Sequence, residues 1–392
     1  MPVEKLASPK VKKEVSYLLQ FLPENLEPLS KVELFEFKGK KLKSAYIVDL
    51  VHSLLLKFFF KKDNNFTLSS LVLKANYGKF YNYYIDFLLE NEVIYLVKNY
   101  SVGTKSRQFQ LSKNIIDKKI TRYKNNDKVI LKKREKKLNF NENNKINAVL
   151  KLKLIENLSS ATLDYEKSIF FINSIVSDKD TYNRNLYSID CINNKFIFWH
   201  FDDYGRFHTN FTILKSFIRK SCLMLDDKEV SEVDIANSQP LFLLKIIESN
   251  SSKCKASELE QFRSLVLDGQ IYDYLRESIP HLTRDDIKPM VYHVLFGPNK
   301  RSKADSLFKK HFPSIYNFII EFKKEKGDYR QLSYELQRAE SEFIYNRVLI
   351  DFSSKFPEVP FLTVHDSIIV PKDFVQECKM IFDKHFNDYF RG

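Results

Sequence analysis

The amino-acid sequence predicts an α+β fold with more than one domain, and three stretches support this prediction. Residues 361–370 hold two apolar runs separated by a short polar turn, the pattern of two paired strands. Residues 282–298 read as one helix that starts at a capping box and stops at Gly-Pro. Residues 44–112 read as helix, helix, turn, helix and basic hairpin, the layout of a winged helix-turn-helix domain.

The first part of the chain divides where its composition changes. Residues 1–43 are rich in Lys and Glu, and we predict a lead-in without a chemical role. A winged fold that serves protein contacts is the alternative to nucleic-acid binding for residues 44–112. These residues contain no D-x-E carboxylate pair, so we expect no metal-dependent proofreading exonuclease. If this segment binds nucleic acid, the cations expected to face phosphates are Lys79, Lys98, Lys105 and Arg107.

A basic stretch and a helical stretch follow. Residues 113–145 predict a linker, because a run of like charges usually lies in solvent or tracks a nucleic-acid backbone. Residues 146–195 show helical periodicity. The whole chain has 63 Lys and Arg against 50 Asp and Glu, a net charge of +13, with 14% aromatic residues. This composition suits a polyanionic partner, since cations neutralise phosphates and aromatic rings stack on bases.

The composition also predicts the compartment. The cysteines lie far apart without a C-x-x-C pair, so neither a zinc site nor a disulfide framework is expected. No apolar run approaches the length of a membrane span, and the first 30 residues lack the apolar core of a signal peptide. We therefore expect a cytoplasmic protein with no membrane partner.

Two aspartates occupy positions suited to metal binding. Asp234 comes one residue after a short alternating run, and the polar cluster 237–240 then opens an apolar, helix-forming segment. Asp366 is at the tip of the predicted hairpin. Two carboxylates brought close together repel each other unless divalent cations lie between them, which is the arrangement of two-metal nucleotidyl transfer. The alternative is that each Asp caps a turn by itself.

The helix predicted for residues 282–298 presents a stripe of four side chains at every fourth position. Arg284 and Lys288 are followed by Tyr292 and Phe296. The two cations would suit a triphosphate, and the two aromatics a base or sugar. Pro289 interrupts the helix hydrogen bonds and predicts a kink. A surface helix with an aromatic face toward the core is the alternative.

Together these motifs make residues 196–392 resemble the palm and fingers of a family A (DNA polymerase I-like) nucleic-acid polymerase. Asp234 lies where that family has the first metal-binding Asp of motif A. The helix reproduces motif B, R-x3-K-x3-(F/Y)-x3-Y-G, with Phe296 in place of the usual Tyr. His365 and Asp366 reproduce motif C. Two weaker matches, in the family's order, are Gly205-Arg206 with Thr209, which resembles the T-G-R segment, and Gln337 of the minor-groove helix.

The resemblance implies a right-hand polymerase palm and fingers, with residues 146–195 in the place of a thumb-like helical region. It implies two Mg²⁺ ions, with Mn²⁺ as a substitute, held by the Asp234 and Asp366 carboxylates and the Ile235 carbonyl. The implied partners are a DNA primer-template, or RNA, and nucleoside triphosphates.

The resemblance also implies roles for other residues. Lys288 would protonate the leaving pyrophosphate. The residues implied to bind the nucleotide are Arg284, Lys288, Tyr292, Phe296 and Gln239. Those implied to contact primer and template are Arg206, Thr209, Gln337 and His365. Glu340 and Glu342 are candidate auxiliary carboxylates, and the favoured alternative is a solvated or salt-bridged role.

Departures from the family pattern bear on the product. Gln239 stands where family DNA polymerases have a Glu next to the sugar, and it would gate the sugar by bulk without charge. Phe296 and Tyr292 permit DNA synthesis, whereas Ser367 is typical of the RNA-making branch. The sequence thus favours a small DNA polymerase, suited to mobile-element replication or repair. The alternatives are a primer-independent RNA polymerase or primase, and a non-catalytic DNA-binding replication initiator or regulator that works through its winged segment.

Overall fold

The structure is a computed structural model with a mixed α+β fold. It describes residues 18–61, 64–99, 106–135, 146–195, 197–250, 254–299, 302–325 and 327–392. The chain forms two compact units. The N-terminal unit lies within residues 1–139, 161–198 and 209–223, and the C-terminal unit within residues 140–160, 199–208 and 224–392.

Helices make up the larger share of both units. Their bounds are α1 (Glu27–Ser30), α2 (Ser44–Lys61), α3 (Ser70–Tyr77), α4 (Tyr81–Glu90), α5 (Lys113–Ile116), α6 (Lys128–Glu135), α7 (Ala148–Asn157), α8 (Tyr165–Ile175), α9 (Lys179–Asn193), α10 (Asn210–Ile213), α11 (Ser216–Cys222), α12 (Ser238–Ser249), α13 (Ala256–Leu267), α14 (Ile271–Arg276), α15 (Arg284–Phe296), α16 (Lys303–His311), α17 (Pro313–Glu325), α18 (Gln331–Phe343), α19 (Ile350–Lys355) and α20 (Val375–Phe386). A π-helical segment, Ile344–Leu349, joins α18 to α19.

The strands are short. Their bounds are β1 (Leu18–Pro23), β2 (Leu34–Phe37), β3 (Lys40–Lys43), β4 (Asn65–Thr67), β5 (Ile94–Lys98), β6 (Gln108–Leu111), β7 (Ile120–Asn125), β8 (Ala161–Leu163), β9 (Trp199–Phe201), β10 (Phe207–Thr209), β11 (Leu223–Leu225), β12 (Lys228–Val233), β13 (Leu362–Val364) and β14 (Ser367–Pro371).

The N-terminal unit contains the helices and hairpin predicted for residues 44–112. Helices α2, α3 and α4 are followed by β5 and β6, and a three-stranded sheet has the order β4-β6-β5. Strand β4 was not predicted, because its three residues lie in a polar stretch. It forms because Phe66 is buried and pairs with Phe109 of β6. The described elements of this stretch are therefore helix, strand, helix, helix, strand and strand, in that order.

The linker predicted for residues 113–145 is wrong where the structure describes it, up to residue 135. This stretch forms α5, β7 and α6, and β7 pairs antiparallel with β1 along its whole length. The amide of Asn125 donates to buried Gln20, which donates in turn to Asp49 of α2. The basic residues of β7 favoured a linker over a strand in the sequence analysis. A two-stranded sheet exposes one face to solvent, so charged residues do not exclude strand pairing.

The predicted lead-in and thumb-like region also differ from the structure. From residue 18 onward the lead-in contains β1, α1 and the β2–β3 hairpin. Residues 146–195, predicted as one region, divide between the two units, with α7 in the C-terminal unit and α8 and α9 in the N-terminal unit. Helical periodicity predicted these helices, but it contains no information on the core each one joins.

The C-terminal unit is built on antiparallel strands in the order β13-β14-β12-β11. Helix α12 packs against α18, and α20 packs against β12 and β14. The core between these helices is aromatic: the ring of Phe343 lies 6.1 Å from that of Phe242, 5.7 Å from Phe382 and 5.5 Å from Phe390. This core fixes α18 next to the start of α12.

We predict that Phe343→Ala lowers the free energy of unfolding by about 3–5 kcal/mol, since it removes a fully buried ring and leaves a cavity. Met380→Ala, on the exposed side of α20 with 73% of its surface accessible, is the matched control and changes it by less than about 0.5 kcal/mol. Urea unfolding followed by circular dichroism measures both. Equal midpoints for the two variants would contradict this packing.

Candidate active site

Two neighbouring strands bring Asp234 and Asp366 to the same edge of the sheet. Strand β12 ends at Val233, which pairs with Ile368 of β14. Continuing this antiparallel register by one residue sets Asp234 opposite Ser367, the residue next to Asp366. The strand end, the helix start and the hairpin tip predicted from the sequence are therefore present. A separation of 132 residues in sequence becomes proximity in space.

The hairpin turn consists of His365 and Asp366, because Val364 pairs with Ser367. His365 has a φ of 55°, the left-handed conformation that two-residue hairpin turns require and that His tolerates better than most residues. Its ring lies 6.2 Å from that of His208 in β10. The turn thus presents Asp366 at the tip, as the alternating pattern predicted.

Asp366 is destabilised as an anion. Burial, followed by the negative charge of Glu340, raises the pKa of its carboxyl to about 6. Its own backbone N–H, the Ser238 hydroxyl and the Arg206 guanidinium act in the opposite direction. At neutral pH the carboxylate form therefore has a free-energy cost that a nearby cation would relieve.

Glu340 of α18 lies beneath this edge, with 1% of its surface accessible. Oε1 accepts from Nε and Nη2 of Arg206 at 3.1 and 2.7 Å. Oε2 accepts from the Ser238 hydroxyl at 3.0 Å and from the Gln239 amide. The structure shows Glu340 in the salt-bridged role, with 2% of its side chain and 18% of that of Arg206 accessible. Its partners on α12, Ser238 and Gln239, are polar residues at the start of an apolar helix, and that contrast is the signal in the sequence.

The ion pair with Glu340 holds Arg206 in place, and the β9–β10 hairpin that contains Arg206 packs tightly on α18. The turn residue Gly205 has a φ of 90°, and a Cβ there would lie 3.1 Å from Cβ of Ser341. Asp202 accepts from the backbone N–H groups of Tyr204 and Arg206 at 3.0 and 2.9 Å. Thr209, the other polar residue of the T-G-R-like segment, is buried and caps α10 in the N-terminal unit.

Helix α15 begins and ends where the sequence predicted. Thr283 and Asp286 form the reciprocal capping box, and Gly297 follows the last helical residue. Lys323 of α17 donates to the carbonyl oxygens of Val294 and Gly297 at 2.6 and 2.9 Å, which satisfies carbonyls at the C-terminal end of the helix. Burial lowers the pKa of Lys323 to about 8. The sequence contains no local signal for this long-range cap.

The stripe on α15 is directed partly toward the carboxylates. Burial raises the pKa of Tyr292, and the charges of Asp366, Glu340 and Asp234 raise it further, which places its hydroxyl within electrostatic reach of all three. The ring of Phe296 lies 5.4 Å from that of Tyr292. Tyr292 is therefore the member of the stripe that the fold brings to the acidic edge.

The two cations of the stripe are exposed. The ammonium of Lys288 lies 5.7 Å from the centre of the Tyr292 ring. The guanidinium of Arg284 lies 5.6 Å from the centre of the Tyr272 ring and 3.5 Å from Asp273. Both side chains are thus near the tyrosines that border the acidic edge and retain exposed charge for an anionic ligand.

The remaining candidates for nucleic-acid contact differ in burial and in the residues around them. Gln337 is half-buried on α18, one turn from Tyr334, whose ring stacks on Tyr204 at 4.1 Å. Lys79 is exposed in the turn between α3 and α4, and Lys98 is exposed at the end of β5. Arg107, just before β6, donates to Asn82 at 3.4 Å. Lys105 lies outside the described residues.

Two properties of the described residues concern metals and membranes. Within them, no three or more His, Cys, Asp or Glu side chains converge in a way that could hold a metal ion. The predicted ligand set consists of two carboxylates and a backbone carbonyl, so this finding does not bear on it. In the same part of the chain, every helix is too short or too polar to cross a membrane.

No family model and no curated protein matches the sequence.

We predict that Asp366→Asn stabilises the metal-free protein at neutral pH. The pKa of Asp366 is about 6 in the fold and about 3.8 when unfolded, so stability falls as pH rises between these values. Above pH 6 the full cost is about 3 kcal/mol, and Asn removes it. Urea unfolding with EDTA at pH 7.5 and pH 3.8 measures the difference, which should nearly vanish at the lower pH.

The control for this prediction is Asp373→Asn, because Asp373 is exposed and pairs only at the surface, with Lys228 at 3.0 Å. We expect little change in its stability at either pH. If Asp366→Asn were less stable than the unmutated chain at pH 7.5, the charge of the Asp366 carboxylate would not destabilise the folded state.

Proposed function

We propose that this chain is a template-directed nucleotidyltransferase, a small DNA polymerase without proofreading that extends a DNA primer with deoxynucleoside triphosphates. The observation that supports this most is the meeting of Asp234 and Asp366 at adjacent strand ends, whose charges both act on Tyr292 of α15. This proximity supports assigning the motif A, motif B and motif C residues, which are far apart in sequence, to one site.

The site suits divalent metal ions. Its donors are the carboxylates of Asp234 and Asp366 and the carbonyl of Ile235, which are hard oxygen ligands of the kind that Mg²⁺ prefers and Mn²⁺ accepts. The raised pKa of Asp366 marks excess negative charge. When bound there, such ions lower the pKa of the attacking primer hydroxyl and neutralise charge on the leaving pyrophosphate.

The chain's own residues then divide the remaining tasks. Arg284 and Lys288 lie one helical turn apart with exposed charge, so they would bind the triphosphate oxygens. Lys288 would also give a proton to the leaving pyrophosphate, a general-acid role. Tyr292 and Phe296, in edge-to-face contact, would form one wall of the pocket for the new base pair.

Nucleic acid would be held by several cations and by His365, which neighbours the catalytic carboxylate. The net charge of +13 favours binding of a polyanion. Arg206 is already bonded to Glu340, so it would act on primer and template mainly by holding the β9–β10 hairpin in place. In the winged segment, Lys79 and Arg107 would contact backbone phosphates.

We predict that Asp234→Asn and Asp366→Asn each lower the rate of primer extension by at least about a thousandfold, because each removes a charged metal ligand. The assay is extension of a labelled DNA primer-template with Mg²⁺, with deoxynucleotides and ribonucleotides run side by side. Asp373→Asn, a surface substitution on the same unit, should retain normal extension.

The outcomes of this assay separate the alternatives. Extension with deoxynucleotides alone supports a DNA polymerase, whereas products from ribonucleotides, or without a primer, would indicate the RNA-synthesising branch. Near-normal extension by either Asp variant would refute the two-metal assignment. No synthesis by the unmutated chain, together with Mg²⁺-independent DNA binding, would favour the non-catalytic initiator or regulator.

We further predict that Lys288→Met lowers the maximum rate of single-nucleotide incorporation about a hundredfold, since a positioned general acid contributes about 10²–10⁴-fold. Rapid-quench kinetics at saturating nucleotide measures the rate separately from nucleotide affinity. Lys379→Met, which replaces an exposed lysine on α20, is the control. An unchanged rate for Lys288→Met would exclude lysine as the proton donor.

A further inference from the structure

Glu340 acts as a carboxylate that only accepts hydrogen bonds. Three N–H groups converge on it, Nε and Nη2 of Arg206 and the Gln239 amide, and the Ser238 hydroxyl lies 3.0 Å from its Oε2. With 1% of its surface accessible, it has no room for water in place of a donor. Because N–H groups can only donate, both carboxylate oxygens of Glu340 act as acceptors; burial raises the pKa of this carboxyl, and Arg206, Ser238 and Gln239 oppose that rise.

This arrangement fixes the orientation of the Gln239 amide. Nε2 of Gln239 donates to Glu340 and approaches the Ser238 hydroxyl at 3.4 Å. The nitrogen therefore points toward α18, and the carbonyl oxygen Oε1 points away from it. Gln239 is 96% buried, since 4% of its surface is accessible, yet Oε1 accepts no hydrogen bond from any described residue.

A second amide nearby has the same property. Asn237, in the turn between Asp234 and α12, has a φ of 57° and does not cap the helix with its side chain. Its Oδ1 and Nδ2 are both buried without a partner among the described residues. Buried polar atoms are nearly always bonded in folded proteins, so unbonded ones beside a candidate active site point to a ligand.

We propose that Glu340 is a positioning residue for sugar recognition, which locks Gln239 so that its Oε1 accepts a hydrogen bond from a hydroxyl of the incoming nucleotide's sugar. This inference rests on the proposed function and on the position next to the nucleotide sugar that the resemblance implies for Gln239. It goes beyond gating by bulk, because an acceptor that loses its donor discriminates more strongly than a shape change does. The 2′-OH and the 3′-OH are the two donors that a sugar offers.

The test compares incorporation of dATP, ATP and dideoxy-ATP opposite template T, with kcat/KM measured for each. We expect the unmutated chain to favour the nucleotide that has the bonded hydroxyl by at least about tenfold. A preference for dATP over dideoxy-ATP identifies the 3′-OH, and one for ATP over dATP identifies the 2′-OH. Gln239→Met should reduce that ratio about tenfold.

Glu340→Gln should reduce the same ratio, because a glutamine there can donate to Oε1 of Gln239 and occupy the acceptor. The double variant should be no less selective than Gln239→Met alone, since Glu340 acts through Gln239. Glu335→Gln, on the same helix but in a surface pair with Arg338 at 2.6 Å, is the control and should keep the original ratio.

Glu340→Gln could instead lower kcat/KM equally for all three nucleotides and leave their ratios intact. That result would overturn the proposal and leave Glu340 a structural role. So would a further change of the ratio when Glu340→Gln is added to Gln239→Met. If Glu340→Gln does not fold, Arg206→Met with Glu340→Met removes both buried charges together and tests the same ratio.

Absence of incorporation by the unmutated chain would refute the proposed function rather than this inference. Equilibrium binding of the three nucleotides then decides. If the unmutated chain binds one nucleotide more tightly than the others and Gln239→Met abolishes that difference, hydroxyl recognition is supported. Equal affinities of the unmutated chain for all three nucleotides would overturn the inference.

Discussion

The buried carboxylate of Glu340 is the constraint on which the C-terminal unit depends. It joins three parts of the chain: α18, on which it lies, the β9–β10 hairpin through Arg206, and the start of α12 through Ser238 and Gln239. A buried charge is tolerated only when its bonding capacity is filled, so loss of any one partner leaves a charge without compensation. The positions of these three segments are therefore coupled.

The same charge determines the electrostatics of the edge above it. Glu340 raises the pKa of Asp366 and of Tyr292, and Asp234 adds to the effect on Tyr292. The fold thus concentrates negative charge near Arg206, which is already engaged by Glu340. Sites that bind cations commonly have such unfavourable charge in the protein alone, because the cation supplies the missing compensation.

Local signals in the sequence predicted local structure well. Alternation predicted the β13–β14 hairpin, the capping box predicted the start of α15, and the strand-to-helix switch predicted the position of Asp234. Contacts between distant residues were not predictable in this way. Gln239 and Glu340 are 101 residues apart, and Gln20 and Asn125 are 105 residues apart. Neither pairing produces a periodic pattern in the sequence. Strand β7 was not predicted because its charged residues are typical of a linker.

Charge on the winged segment limits how it would approach DNA. If residues 44–112 bind DNA as a winged helix-turn-helix domain, the helix expected in the major groove is the third one, α4. Helix α4 has no Lys or Arg, and its accessible side includes Asp86 and Glu90, while Phe87 packs against Phe35 and Phe37 of the β2–β3 hairpin. Carboxylates oppose entry into a groove lined by phosphates.

Cations of this segment outside α4 include Lys74 on α3, Lys79 in the turn before α4, and Lys98 and Arg107 beside the hairpin. Electrostatics therefore favours contact with the backbone through the turn and the hairpin over reading of base edges by α4. Backbone contact is independent of sequence, which is what a protein that must act along any template requires. A sequence-specific regulator would need the opposite distribution of charge, with donors on α4 itself.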